Sequence, residues 1–249
     1  MIILKSLREI EIMRQAGKIV AGALKALEML IAPGITTSEL DRIAKEYIIN
    51  CGAIPAFKGY EGFPANICVS VNEQVIHGIP GNRFLKEGDI AGIDIGVLFG
   101  GYYADAARTY TVGKVSAKAL ELIEVSQAAF FEGMKFANPD FRLSDISHAI
   151  QMYTEKRGFS VVKKYVGHGI GMAMHEKPPI PNYGLPGRGV RLQRGMTLAI
   201  EPMINEKSDR VKLLSDGWTV ITEDGGLSAH FEHTIAISDN GPIILTQEG

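Results

Sequence analysis

Apolar residues recur three or four positions apart at Ile10, Met13, Val20, Leu24, Leu27 and Ile31, with Gly17 filling the gap. This spacing predicts an amphipathic helix, and Ser6 followed by Glu9 offers a capping box at its start. A second helix is predicted after Pro33-Gly34, opened by Thr36 and Glu39 and burying Leu40, Ile43, Tyr47 and Ile48. Two further helices are expected over residues 118–135 and 144–156. The stretches 90–98 and 102–112 differ: they are rich in β-branched and aromatic residues and flank Gly100-Gly101, a strong hairpin signal.

The second and fourth predicted helices look like copies. Pro33, Ser38, Glu39, Leu40, Tyr47 and Gly52 recur as Pro139, Ser144, Asp145, Ile146, Tyr153 and Gly158, an offset of 106. Gly88, six residues before Asp94, recurs as Gly195, six before Glu201, an offset of 107. Each half therefore reads helix, helix, then strands ending in a carboxylate, which suggests duplication. The expected fold is α+β: halves of about 1–113 and 114–249, related by a pseudo-twofold axis, share a central antiparallel sheet with helices on its outer face. No Pro/Gly/Ser-rich linker separates them, so residues 1–249 are expected to form a single catalytic domain.

Composition narrows the function classes. Across 249 residues, 46% hydrophobic and 22% charged is ordinary for a soluble globular protein. A formal net charge of -2 leaves no basic footprint for nucleic acid and no polybasic membrane anchor. The apolar run Met-Ile-Ile-Leu at the N-terminus is too short for a signal peptide or a membrane helix. Cys51 and Cys68 cannot build a disulfide framework and fit a reducing compartment. A cytoplasmic protein is expected, and a monomer, since no heptad pattern or long apolar edge stands out.

Acids inside apolar strands carry the chemistry. Asp94 lies between Ile93 and Ile95, and Asp105 lies among alanines. With Gly100-Gly101 as a two-residue loop, the two project from one face of adjacent strands as near-diagonal neighbours, or stand directly opposite if the loop is centred one residue earlier. Burying two like charges costs several kcal/mol unless a cation compensates them. Glu201, in Leu-Ala-Ile-Glu-Pro, and Glu232, followed by a strand continuation, repeat the pattern. His168 lies in Gly-His-Gly-Ile-Gly, His175 is next to Glu176, and His77 sits in Ile-His-Gly-Ile-Pro; taken singly each reads as a structural histidine. His148 reads as structural, strand alternation turns His233 away from Glu232, and His230 shares the Glu232 face with no assigned role. Together, four buried acids and an imidazole nearly balance two divalent cations, so a dinuclear metal site is expected.

The motifs Ile-Asp-Ile-Gly, Tyr-Tyr-Ala-Asp, Gly-His-Gly-Ile-Gly, Ile-Glu-Pro and Phe-Glu-His-Thr occur in the order and spacing of one family. Over nearly its whole length the chain resembles type I methionine aminopeptidases of the pita-bread fold. That resemblance implies removal of the initiator methionine from nascent polypeptides, work that would take place at the ribosome, with preference for a small second residue. It implies Asp105 and Glu232 bridging two metals, His168 and Glu201 on one, Asp94 on the other, and a metal-activated water as nucleophile. Cobalt, manganese, iron and zinc all suit such donors. His77, His175 and Glu201 match the family's catalytic groups: His77 on the scissile amide, His175 on the carbonyl, Glu201 as proton acceptor. Tyr60, Phe63, Cys68 and Trp218 match the methionine pocket. Asn72, Gln74 and Ser228 match positions whose backbone carbonyls hold a monovalent cation. Met172 and Met174 stand where the family usually shows Arg and Phe, and Phe57 replaces a smaller residue, differences that bear on the pocket's shape. Competing expectations are an Xaa-Pro aminopeptidase or prolidase on the same fold, a non-catalytic binding module of that fold, and a non-haem iron oxygenase.

Overall fold

The Ser6 side chain accepts from Glu9 N–H while the Glu9 carboxylate accepts from Ser6 N–H, so the expected capping box starts α1 (Leu7–Glu28). Thr36 caps α2 (Thr37–Asn50) through the Glu39 N–H. Of the expected apolar stripes, Met13, Val20, Leu24, Leu27, Leu40 and Ile48 are buried, whereas Ile10, Ile31, Ile43 and Tyr47 are half-buried at the edges. The short strands β1 (Ile54–Pro55), β2 (Cys68–Val71) and β3 (Gln74–Ile76) follow, and then the hairpin β4 (Ile90–Phe99) and β5 (Tyr102–Thr111). Its loop is Gly100-Gly101, both at positive φ (58° and 84°), a conformation that other residues take at a steric cost. The structure is a computed structural model and describes residues 1–247.

The second half repeats the order. Helices α3 (Ala117–Met134) and α4 (Leu143–Glu155) precede the short strands β6 (Ser160–Val161), β7 (Gly167–Gly169) and β8 (Glu176–Ile180). Next come β9 (Thr197–Ile200), β10 (Met203–Asn205), β11 (Val211–Leu213) and β12 (Val220–Thr222), and finally β13 (Ser228–His230), β14 (His233–Ser238) and β15 (Gly241–Ile244). Equivalent backbone contacts accompany the repeat: Thr37 N–H donates to Arg83 and Leu143 N–H to Val190, and isolated bridges join Thr36 to Phe84 and Arg142 to Arg191. Gly88 and Gly195 share φ near 90°.

Two large apolar cores result among the described residues. In one, α1 and α2 cover β2, β4 and β5; in the other, α3 and α4 cover β9 and β14. In one main sheet β4 pairs with β1, β2 and β5, and the other runs β15-β14-β9-β7-β8, all antiparallel. They meet where Glu232 N–H donates to Ala107 O (2.9 Å) and Asp105 N–H to Thr234 Oγ1 (3.0 Å). Strands from both halves thus form the shared surface of a pita-bread fold, helices outside and acids inside.

Candidate metal centre

Hairpin register places the first two acids. Asp94 pairs with Ala107 and Asp105 with Gly96, so the carboxylates are diagonal neighbours on one face, the first of the two arrangements the sequence allowed. His168 enters from β7, whose glycines permit close strand approach. A Cβ on Gly167 would lie 2.4 Å from Ala199 O, and one on Gly169 2.3 Å from Lys177 O. Glu201 follows the end of β9, and Glu232 lies between β13 and β14 at the junction of the sheets.

These elements bring ligand atoms of Asp105, His168 and Glu232 within 4.8 Å of one another, all buried. His168 Nε2 stands 3.5 Å from Asp105 Oδ2 and 3.7 Å from Glu201 Oε1. Asp94 Oδ1 is shut off from solvent and has no hydrogen-bond partner. Burial pushes the Asp94 and Glu232 carboxyls well up, and the neighbouring Asp105 charge pushes both further. Burial alone would lower His168, yet Asp105 and Glu201 hold it up to about 9. An orphaned buried oxygen among crowded acids and one imidazole is the donor set of a divalent cation site, so the residues present fit such ions.

One cavity opens onto this cluster. Tyr60, Phe63, Cys68, His77, His175 and Trp218 all line it, as do Phe57 and Met174. Phe63 meets Trp218 edge-on at 5.1 Å, with Cys68 beside them. Burial raises the Cys68 thiol well up, so it serves as an apolar wall. Phe57 and Met174 close over Gly96, where any side chain would collide with them. Met172 is 67% exposed and lies outside the lining, so of the two methionine substitutions only Met174 shapes the pocket.

His175 Nδ1 is 2.7 Å from the Tyr60 hydroxyl, and its ring lies 4.2 Å from that of His168. Burial lowers His175, and His168 lowers it further. His77 adopts φ 58°, a left-handed conformation uncommon for a side-chain-bearing residue, and burial lowers its imidazole to about 4. Its ring meets Tyr165 and Trp218 edge-on. Asn72 also has positive φ, and its carbonyl accepts the Ser228 N–H at 2.9 Å; Gln74 Oε1 accepts from Val71 N–H.

Several supporting residues carry no sequence signal of their own. Thr234 Oγ1 donates to Asp105 Oδ1 (2.8 Å), Asn182 Nδ2 donates to the Glu201 carbonyl (2.9 Å), and Arg108 Nη1 donates to the Glu232 carbonyl (2.6 Å). Glu61, Ile76, Tyr165 and Val166 join the lining; each stands in sequence beside Tyr60, His77 or the Gly-His-Gly run, the one signal that could have found them. His233 is buried against Arg108, Thr246 and the Phe130 and Phe231 rings. His148 bonds the Gly184 carbonyl, and both histidines are structural.

The model of the metallopeptidase family M24 matches residues 11–239. A methionine aminopeptidase of Clostridium perfringens is 58% identical over 246 residues, covering 99% of each chain. The crystal structure of a methionine aminopeptidase from Thermotoga maritima superposes with a TM-score of 0.98 at 48% identity, covering 100% of both chains. A prolidase from Pyrococcus furiosus reaches a TM-score of 0.81 at 25% identity, but 99% of this chain covers only 66% of that one.

Proposed function

The chain belongs to metallopeptidase family M24, and on that premise we propose that it is a metal-dependent methionine aminopeptidase that removes the N-terminal methionine of newly made polypeptides. The observation that carries the reading is the cluster of buried Asp105, His168 and Glu232 with half-buried Asp94 and Glu201, opening onto an apolar cavity. Those five side chains would hold two divalent ions. Because the donors come from both halves, residues 1–249 act as one catalytic domain. When bound, such ions polarise a carbonyl and lower the pKa of a water toward neutrality.

The chain's own groups do the rest. Phe63, Cys68 and Trp218, with Tyr60, Phe57 and Met174, take the thioether side chain and exclude water from it. His77 hydrogen-bonds the scissile amide nitrogen, its ring held before substrate arrives by edge-on packing against Tyr165 and Trp218. His175, held by Tyr60, donates to the scissile carbonyl oxygen. Glu201 accepts the nucleophile's proton and returns it to the leaving amine. The turn Asn72–Gln74, bonded to Ser228, would hold a monovalent cation through backbone carbonyls.

A peptide panel tests the reading. With divalent metal present, Met-Ala-Ser should be cleaved while N-acetyl-Met-Ala-Ser and Ala-Pro are not. Preferential cleavage of Ala-Pro would replace this activity with that of a prolidase.

A further inference from the structure

We propose that His230 is a positioning residue of the metal centre, whose Nε2–H holds the second carboxylate oxygen of Glu201 and leaves the first facing His168. The inference rests on the reading of Glu201 as ligand and proton acceptor.

His230 lies on β13, two residues before Glu232, and its main chain is fixed from both sides. Its N–H donates to Thr109 Oγ1 and its carbonyl accepts from the same hydroxyl, each at 2.9 Å. Thr109 is on β5, four residues beyond Asp105, so this clasp sets His230 in the frame of the acidic hairpin. The residue is 4% exposed, and its Nε2 is shut off from solvent without a hydrogen-bond partner. Buried ring nitrogens are nearly always paired, and leaving one unpaired is unfavourable.

The group facing that nitrogen is Glu201 Oε2, at 3.6 Å. This is just beyond hydrogen-bond reach, and bonds at reacting centres often close by a few tenths of an ångström once the site is assembled. The other oxygen, Oε1, is 3.7 Å from His168 Nε2. Glu201 is therefore bracketed by two imidazoles, one per oxygen. Its main chain is anchored by Asn182 through the carbonyl. Among the described residues, however, no hydrogen bond orients its carboxylate. Carboxylates that bind metal are themselves hydrogen-bonded, and that bond selects which oxygen points at the ion. The Nε2–H of His230 supplies that donor in this chain.

The test compares His230→Phe, which keeps a ring but no donor, with His230→Gln, whose amide can reach the carboxylate. In the full chain, Phe should lower kcat on Met-Ala-Ser by about 10- to 100-fold with KM little changed. It should weaken Mn2+ binding to the stripped protein, read by calorimetry, by a similar factor, and Gln should restore most of both. Unchanged kcat and Mn2+ affinity in His230→Phe, with only a lower melting temperature, would overturn the proposal. Should His230→Phe fail to fold, histidine-labelled, zinc-loaded wild type still decides by NMR. A proton on His230 Nε2 that shifts on Glu201→Gln supports the contact, whereas an unprotonated or unmoved nitrogen refutes it. Wild type that cleaves no Met-peptide with any metal would instead sink the assigned activity, while the Mn2+ and NMR readouts still judge His230.

Discussion

Replacing Asp94 with Ala should stabilise the metal-free protein and weaken the loaded one. Asp94 Oδ1 is buried without a partner, and such an acceptor costs about 1–3 kcal/mol, more when charged. Asp94 lines the cavity, so truncating it enlarges an open pocket and creates no sealed void. The neighbours Ala91, Ala104, Ala106 and Ala107 show that the strand pair accepts alanine. At about 2–4 °C per kcal/mol for a chain of this size, the chelated variant should melt about 2–12 °C above chelated wild type. In manganese at a thousand times Kd the order should invert. Binding then stabilises by about 4.1 kcal/mol per site, and the variant loses one site's share, more than the about 1–3 kcal/mol it gains without metal.

The same physics fixes a pH dependence. Burial raises the folded-state values of Asp94 and Glu232 above their unfolded ones, so the folded metal-free protein binds protons more tightly. Its stability is greatest below the unfolded carboxylate range and falls as pH rises through the folded values. His168, held at about 9 against an unfolded value of about 6.5, adds a loss between those two. Urea midpoints in chelator should therefore fall with pH more steeply for wild type than for Asp94→Ala. A chelated variant that melts below wild type, or shows an equal slope, would refute the claim that this acid burdens the metal-free fold.

Further outcomes follow from single contacts. Glu201→Gln and His77→Ala should keep the wild-type circular dichroism spectrum yet lose about 10²- to 10⁴-fold in kcat; full turnover in both would remove them from the mechanism. Gly167→Ala would place a Cβ 2.4 Å from Ala199 O, so β7 must shift and carry His168 away. Its calorimetric metal affinity should drop, and unchanged affinity would show that the strand gives way without moving the ligand. Lys5 and Glu176 form a buried ion pair, 3% and 9% exposed, beside His175. Lys5→Ala should cost about 3–5 kcal/mol in urea unfolding by stranding Glu176, and Lys5→Met with Glu176→Leu should recover most of it. Equal stability of the single and double variants would mean the pair is already solvated.

Locally encoded features were the legible ones. The caps at Ser6 and Thr36 and the glycine pair at 100–101 fixed α1, α2 and the acidic hairpin, because each depends on residues within three or four positions. The fourth helix begins one residue before its expected start, since Arg142 N–H takes the Asp145 carboxylate while the Ser144 hydroxyl turns to the Arg188 carbonyl. Strand β8 has no recognisable pattern because Pro178 and Pro179 interrupt it; it survives as the outermost strand of its sheet, where a missing N–H is tolerated. Contacts between distant segments were invisible. Thr234 reaches Asp105 across 129 residues and Tyr60 reaches His175 across 115, and only the meeting of the two sheets sets those registers. Arg108, turned to the opposite face from Asp105 by strand alternation, gave no hint that it would hold the Glu232 carbonyl. The four candidate acids escaped this difficulty because an acid set in an apolar strand declares itself one residue at a time, whereas His168 did not.

Turnover of Met-Ala-Ser by chelator-stripped protein, followed as manganese is added in known equivalents, weighs most directly on the acidic cluster as the seat of catalysis. Activity should be absent at the start, rise with metal and level off by two equivalents per chain. Full cleavage in the presence of chelator, or a rise that survives removal of both Asp105 and Glu232, would contradict it.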